Sequence, residues 1–482
     1  MPTDPPPTPA RREGGYAVAV LAIAFILNFT GRGIADALAA FVLPLEAEFG
    51  WRRSALTGVF ATYMLVSGLA APVAGFVFDR FGPRAIYCSG LFLLGAAALV
   101  AGFAQSLWQI YLGAGVLMGA GSAATGMVCA TTLIARWYRT RLTTAIAIAY
   151  AGAGCGALVL LPVAQSLIDA WGWRTAWMAM ATLPLVAGPL CLALPWRKLA
   201  QPPAAPAVQP RLAQSDAAGP SGAVAPGTMA AGATVAGTAV AGTAVAGTAV
   251  AGTAAEGTAV EGTRAHGAEA HLPADRLGAL RAAWADPCYW QLAQIFFFTA
   301  LASYHVTPQV VAMLIESGMK PIVAASAYGF AGLLSTVGII GAGWLGDRLG
   351  HQRAGLASFV LTASGLAGLL WVALRGAPLG LIIYVVGFGL AQGARGPIVS
   401  MLSNRIFAGP AAATIYGTIY ALMALGAAIG AWTGGLLHDL SNAYWPLVAA
   451  GLALIGLAAL PFRSASALMV RSGALTGPRA RG

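Results

Sequence analysis

Charged residues are scarce in this chain. They make up 9% of its 482 residues, where a soluble protein carries about 25%. The remainder is 58% hydrophobic and the mean hydropathy is +0.75, a bias too large for a globular core alone. Apolar runs recur at about 20 residues or more, the length that carries a helix across roughly 30 Å of hydrocarbon. The expected fold class is therefore all-α integral membrane. Cysteine is rare as well: Cys88, Cys129, Cys155, Cys191 and Cys288 lie in or beside apolar runs without paired metal-ligand spacing, and read as small core residues. There is no His-Glu-x-x-His, no Gly-x-x-x-x-Gly-Lys and no Ser with a nearby His and Asp pattern, which argues against metalloprotease, nucleotide-hydrolase and serine-hydrolase chemistry. No enzyme, cofactor or metal is expected.

Acidic residues are the scarcer of the two charges, 16 Asp and Glu against 27 Lys and Arg, for a net charge of +11. In a soluble protein that balance would point to nucleic acid. The distribution gives a different answer. With the N-terminus cytoplasmic, 20 of the 27 basic residues fall in inside segments and five fall outside, namely Arg52, Arg53, Arg174, Lys320 and Arg375. That bias satisfies the positive-inside rule and puts both termini in the cytoplasm. The first apolar run is too long for the core of a signal peptide and stays as helix 1.

The sequence does hold one charged turn, twice. Gly75-Phe-Val-Phe-Asp79-Arg80-Phe-Gly82-Pro83-Arg84 and Gly343-Trp-Leu-Gly-Asp347-Arg348-Leu-Gly350-His351-Gln352-Arg353 share the frame Gly-x-x-x-Asp-Arg-x-Gly. Each lies between two membrane-length runs, so the chain reads as two related halves. Twelve helices are expected: 16–43, 54–78, 85–103, 108–135, 142–168 and 173–194 in the first half, then 288–315, 322–345, 354–374, 378–402, 411–437 and 444–460 in the second. This divides the chain into an N-terminal tail (1–15), a six-helix half (16–196), a linker (197–285), a second six-helix half (286–463) and a C-terminal tail (464–482). The linker is rich in Pro, Ala, Gly and Thr, and repeats Gly-Thr-Ala-Val-Ala between Gly237 and Thr253. A glycine every fifth residue opposes a helix by about 1 kcal/mol each, and a thirteenth span would put Asp347 and Arg348 outside. A disordered cytoplasmic linker is the expectation.

At this point the residues resemble the major facilitator superfamily. Gly75, Asp79, Arg80, Gly82 and Arg84 match that superfamily's signature loop between helices 2 and 3, and the second copy differs by a one-residue shift of its last basic position, Arg353. Glu48-Phe-Gly-Trp51 followed by Arg52-Arg53, Gly172-Trp173-Arg174, and His305-Val-Thr-Pro308 resemble the branch of bacterial monocarboxylate and oxalate/formate carriers. That branch typically has a substrate-binding arginine in helix 8, and 322–345 contains none. The resemblance implies two pseudo-symmetric six-helix halves, a central cavity lined by helices 1, 4, 7 and 10, and a bacterial inner membrane location as a monomer.

Ionisable groups inside a membrane are costly and by default functional. The spans hold four: Arg32 and Asp36 in helix 1, His305 in helix 7, and Arg395 in helix 10. Arg32 and Asp36, four apart, share one helix face; the pair either orders the bundle or receives an anion. Arg395 lies among Gly393, Gly396 and Pro397, where proline breaks the bond to the carbonyl of Gly393 and holds the arginine at a kink. It needs acceptors, which protein carbonyls, Asp36 or a substrate carboxylate would supply. His305 titrates near neutrality, and Pro308 frees the carbonyl of Tyr304. Expected substrate contacts are Arg32, Arg395, His305 and Tyr304; expected proton carriers are Asp36 and His305. Gly75, Asp79, Arg80, Gly82, Arg84, Asp347 and Arg348 are expected to latch one conformation.

The function implied is secondary transport of a small organic anion by alternating access, with H+ as a possible co-substrate and the lipid bilayer as the surrounding medium. A drug exporter is the alternative within the superfamily, since glycine-rich helix 5 with Pro162 loosely resembles the antiporter motif. A membrane sensor is the alternative of another class, although no signalling domain is apparent.

Overall fold

The computed structural model describes residues 9–138, 142–199, 274–407, 412–463 and 466–475; the side chains of Asp79, Asp347 and Pro397 lie outside it. Among the described residues the chain is helical throughout, and ten helices are long and apolar enough to cross a membrane. One of the ten, Ala145–Ala193, is two spans joined at Gly172. The shorter apolar helix Pro378–Gln392 passes a break at Gly393 and continues as Arg395–Ile406. Helices 5, 6 and 10 are thereby accounted for, and the twelve expected spans are present in two sets of six.

The repeated charged turns share a backbone. Helices 2 and 3 run together as Arg53–Gly102, interrupted only at Gly82 (φ 81°, ψ 173°). Pro321–Leu349 and His351–Arg375 meet at Gly350 (φ 86°, ψ 149°). Gly172 does the same between helices 5 and 6 (φ 81°, ψ 164°). Positive φ with extended ψ is a region essentially reserved for glycine, so the glycine of Asp-Arg-x-Gly is what lets each helix reverse without a loop.

Glycine also sets how the helices pack, because lipid offers no hydrophobic drive and close backbone approach must supply the attraction. A Cβ at Gly152 or Gly156 would overlap the carbonyls of Phe25 and Phe29 on helix 1. In the second half Gly426, Gly430 and Gly434 of helix 11 lie in the same way on the carbonyls of Phe297, Leu301 and His305 of helix 7. The two halves therefore use the same i, i+4 glycine seam at the same crossing. Gly154 faces the other way and meets the Gly332 carbonyl of helix 8, where its Cβ would lie 2.9 Å away. The glycine run of helix 5 is thus occupied in packing on both sides.

Three boundaries differ from expectation. Helix 1 begins at Pro9, inside the expected tail, since Ala10 to Glu13 are good helix formers that continue the first turn of the span. The expected linker is helical at Trp196–Leu199 and at Ala274–Ala285; residues 200–273, with the five-residue repeats, lie outside the described residues. Asp286 ends the second of these helices and caps the next, accepting from the Cys288 N–H at 2.8 Å. The expected C-terminal tail forms the helix Ala467–Leu475, whose Arg471 pairs with Asp286. Burial alone would raise the Asp286 carboxyl, but these donors outweigh it and hold it below the usual carboxylate range.

Candidate functional site

A cavity opens between the halves at mid-depth, lined by Asn28, Arg32 and Asp36 of helix 1, Tyr63 of helix 2, Ser122 of helix 4, Tyr150 of helix 5, Thr307 of helix 7, Tyr328 of helix 8 and Tyr384 of helix 10, among others. Helices 1, 4, 7 and 10 all contribute. Among the described residues on its wall, Arg32 and Asp36 are the charged ones. Arg32 Nε donates to Asp36 Oδ2 at 2.9 Å, and both side chains are 12% exposed. The phenols of Tyr63, Tyr304 and Tyr328 surround the guanidinium. Tyr63 comes from the first half; Tyr304 and Tyr328 come from the second, so Arg32 sits where the halves meet. Tyr304 Oη is buried beside Arg32 without a hydrogen-bond partner of normal geometry.

Local breaks in helices 7 and 10 shape the wall. Helix 7 tightens to a 3-10 turn at Thr307–Gln309, where Pro308 has no N–H to give, and Thr307 of that turn faces the cavity. Helices 4 and 10 each contain a π segment, Tyr111–Leu117 and Tyr384–Phe388. Such widened turns occur often at functional sites, and here they occupy corresponding helices of the two halves.

The cavity does not gather all four ionisable residues. Arg395 is 2% exposed and turns to helix 9: its Nη1 donates to Thr362 Oγ1 at 2.8 Å and to the Ser358 carbonyl at 3.2 Å, and its guanidinium lies 4.9 Å from the Phe359 ring centre. Its Nε and Nη2 have no hydrogen-bond partner. His305 turns to helix 11, with Nδ1 3.2 Å from Thr433 Oγ1. The Thr433 hydroxyl also lies 2.8 Å from the Ile429 carbonyl, and His305 Nε2 has no hydrogen-bond partner among the described residues. Of the expected contacts, Arg32 and Asp36 lie on the cavity wall with Tyr304 beside Arg32, while Arg395 and His305 lie off it. Arg395 and His305 find partners within their own half instead.

At one end of the cavity the halves are joined by a clasp that sequence reasoning missed. Arg53, counted as a loop cation, is 2% exposed. Its Nη1 donates to Tyr444 Oη and its Nη2 to Glu316 Oε1, each at 2.8 Å, and Glu46 completes the cluster. Tyr444 Oη donates in turn to Glu316 Oε2 at 2.6 Å. Asp439 of helix 11 caps helix 2 from the opposite half, accepting the N–H groups of Arg53 and Ser54 at 2.9 Å each. Gly435, one turn earlier, lets the two helices touch: its Cβ would lie 2.7 Å from Ser54 Cα. The available signal was weak: an arginine at a helix start, Glu46 seven residues before it, and Glu316 and Asp439 hundreds of residues away.

The signature turns lie at the other end. Arg84 is exposed, Arg80 lies over Phe81 at 5.7 Å, and Arg348 over Trp344 at 4.4 Å.

Residues 21–431 match the family model described as Major Facilitator Superfamily. The chain belongs to that superfamily. It is a multi-pass membrane protein. Bovine monocarboxylate transporter 13 is 24% identical over 437 residues, 90% of this chain and 85% of that protein. Mouse monocarboxylate transporter 11 is 31% identical over 173 residues, 36% of this chain and 38% of that protein. The probable transporter MCH2 of Saccharomyces cerevisiae is 32% identical over 179 residues, 36% of this chain and 37% of that protein. The chain thus spans well under half the length of the last two. The crystal structure of a bacterial homolog of the human lysosomal transporter Spinster, inward-facing and unoccupied, superposes with a TM-score of 0.59 at 13% identity, covering 95% of this chain and 96% of that one. That likeness concerns the fold.

Proposed function

We propose that the protein carries a small organic monocarboxylate together with a proton, by alternating access around Arg32 and Asp36, as a monomer in a bacterial inner membrane with both termini cytoplasmic. One observation carries the reading: the charged groups on the wall of the inter-half cavity are a single arginine and its aspartate partner. A guanidinium holds a carboxylate through paired N–H donors. Anion entry displaces Asp36, whose own charge then lies unpaired at mid-membrane, and a proton on Asp36 cancels it. Tyr304 adds a hydroxyl donor from the other half. The names of the monocarboxylate relatives agree with this substrate class.

In that orientation the Arg53 clasp closes the outside and the cavity belongs to an inward-facing state. The turns at Gly75, Asp79, Arg80, Gly82 and Arg84, and at Asp347 and Arg348, latch the cytoplasmic end in the opposite state. Arg395 reaches the anion only if the break at Gly393 turns its side chain away from Thr362.

The test is uptake of labelled monocarboxylates into proteoliposomes by Arg32→Ala, normalised to protein incorporated. Uptake at background is expected; uptake equal to that of the unaltered protein would remove Arg32 from the site.

A further inference from the structure

We propose that the carried species is an aromatic monocarboxylate, a single carboxylate on a flat ring, rather than a short aliphatic acid or a dicarboxylate. This rests on the carboxylate reading above and narrows it.

The first ground is charge. A dicarboxylate brings two negative charges into a site where each needs a partner, because an unpaired buried charge is heavily penalised. Among the described residues the cavity wall offers one cation, Arg32, already shared with Asp36. The second arginine of the spans donates to helix 9 and is absent from the wall. One carboxylate and one proton balance the site; two carboxylates do not.

The second ground is the surface around that single charge. Five of the wall residues are aromatic: Tyr63 and Tyr150 from the first half, Tyr328, Tyr384 and Phe388 from the second. Tyr384 and Phe388 are already stacked, with centroids 5.5 Å apart and planes 29° apart. Rings from both halves thus line the cavity, and an aromatic ligand gains from offset or edge-on contact with such rings.

The third ground is length. Wall residues run from Leu27 to Asp36 on helix 1 and from Tyr328 to Ile339 on helix 8. At 1.5 Å per residue the cavity extends about 13 to 16 Å along these helices. A two- or three-carbon acid held at Arg32 would touch little of it, whereas an arene on the same carboxylate reaches rings of both halves and is felt by both as they rock.

The experiment is equilibrium binding to the purified full-length protein, by calorimetry, of benzoate and phenylacetate against acetate and lactate, of phthalate and oxalate, and of benzamide. Benzoate or phenylacetate is expected to bind at least tenfold more tightly than acetate or lactate, with no saturable binding of phthalate, oxalate or benzamide. Tyr328→Leu is expected to weaken benzoate at least fivefold more than it weakens acetate, and Tyr328→Phe to retain benzoate binding, which separates ring contact from a folding defect. Equal or tighter binding of acetate or lactate overturns the aromatic assignment and leaves the carboxylate reading standing. Tight binding of phthalate or oxalate overturns the single-charge ground. Benzamide binding as well as benzoate, or no carboxylate binding at all, overturns the carboxylate reading itself.

Discussion

Arg32 and Arg395 show two ways a membrane can hold a guanidinium. Arg32 has a carboxylate one helical turn away and opens to a cavity. Arg395 has a hydroxyl, a carbonyl and an aromatic face, and no carboxylate within ion-pair distance among the described residues. A buried charge needs several kcal/mol of compensation, so the few acceptors Arg395 possesses matter. Thr362→Val removes its one side-chain acceptor and is expected to destabilise the protein by about 1 to 3 kcal/mol, the usual cost of stranding a buried donor. A lowered unfolding midpoint in detergent would show this; an unchanged midpoint would mean the guanidinium draws its stabilisation elsewhere. The direction of each side chain was beyond sequence reasoning for a plain reason. Asp36 is four residues from Arg32 and legible as a partner, whereas Thr362 lies 33 residues from Arg395 on a helix whose rotation no local pattern fixes.

At the level of elements, the spans and their ends were legible because hydrocarbon thickness and glycine chemistry leave few choices. The breaks at Gly82, Gly172 and Gly350 fall at the turns read from the sequence, and Pro308 marks the 3-10 turn in helix 7. The π segments at Tyr111–Leu117 and Tyr384–Phe388 had no signal, since an extra residue in a turn leaves composition unchanged. The two helices flanking 200–273 were missed for a different reason. Ala274–Ala285 is short and polar enough to read as linker, and its end is defined by the Asp286 cap and by Arg471 from the far terminus, contacts that only the folded chain reveals.

For the whole molecule, the two halves are closed together at one end by a buried arginine shared among three side chains, and by an aspartate capping a helix of the other half. Removing one partner from such a cluster strands the others, so its loss is felt as a shift between conformations and not as a local defect. Arg53→Ala is expected to populate the state open at that end. In a background without native cysteines, a cysteine at the cavity residue Ser122 should then react several-fold faster with a membrane-impermeant thiol reagent added outside. An unchanged rate, with the protein correctly inserted, would show that Arg53 does not hold the halves closed.

In the proposed cycle one anion and one proton share the Arg32 and Asp36 pair. The most direct measurement is uptake of a labelled monocarboxylate into proteoliposomes with an acid-outside pH gradient, comparing the unaltered protein with Asp36→Asn. The unaltered protein should accumulate the label above equilibrium and lose that accumulation when the gradient is collapsed. Asp36→Asn should exchange internal for external label yet fail to concentrate it. Accumulation by Asp36→Asn to the level of the unaltered protein, or uptake by the unaltered protein indifferent to the gradient, would contradict the claim.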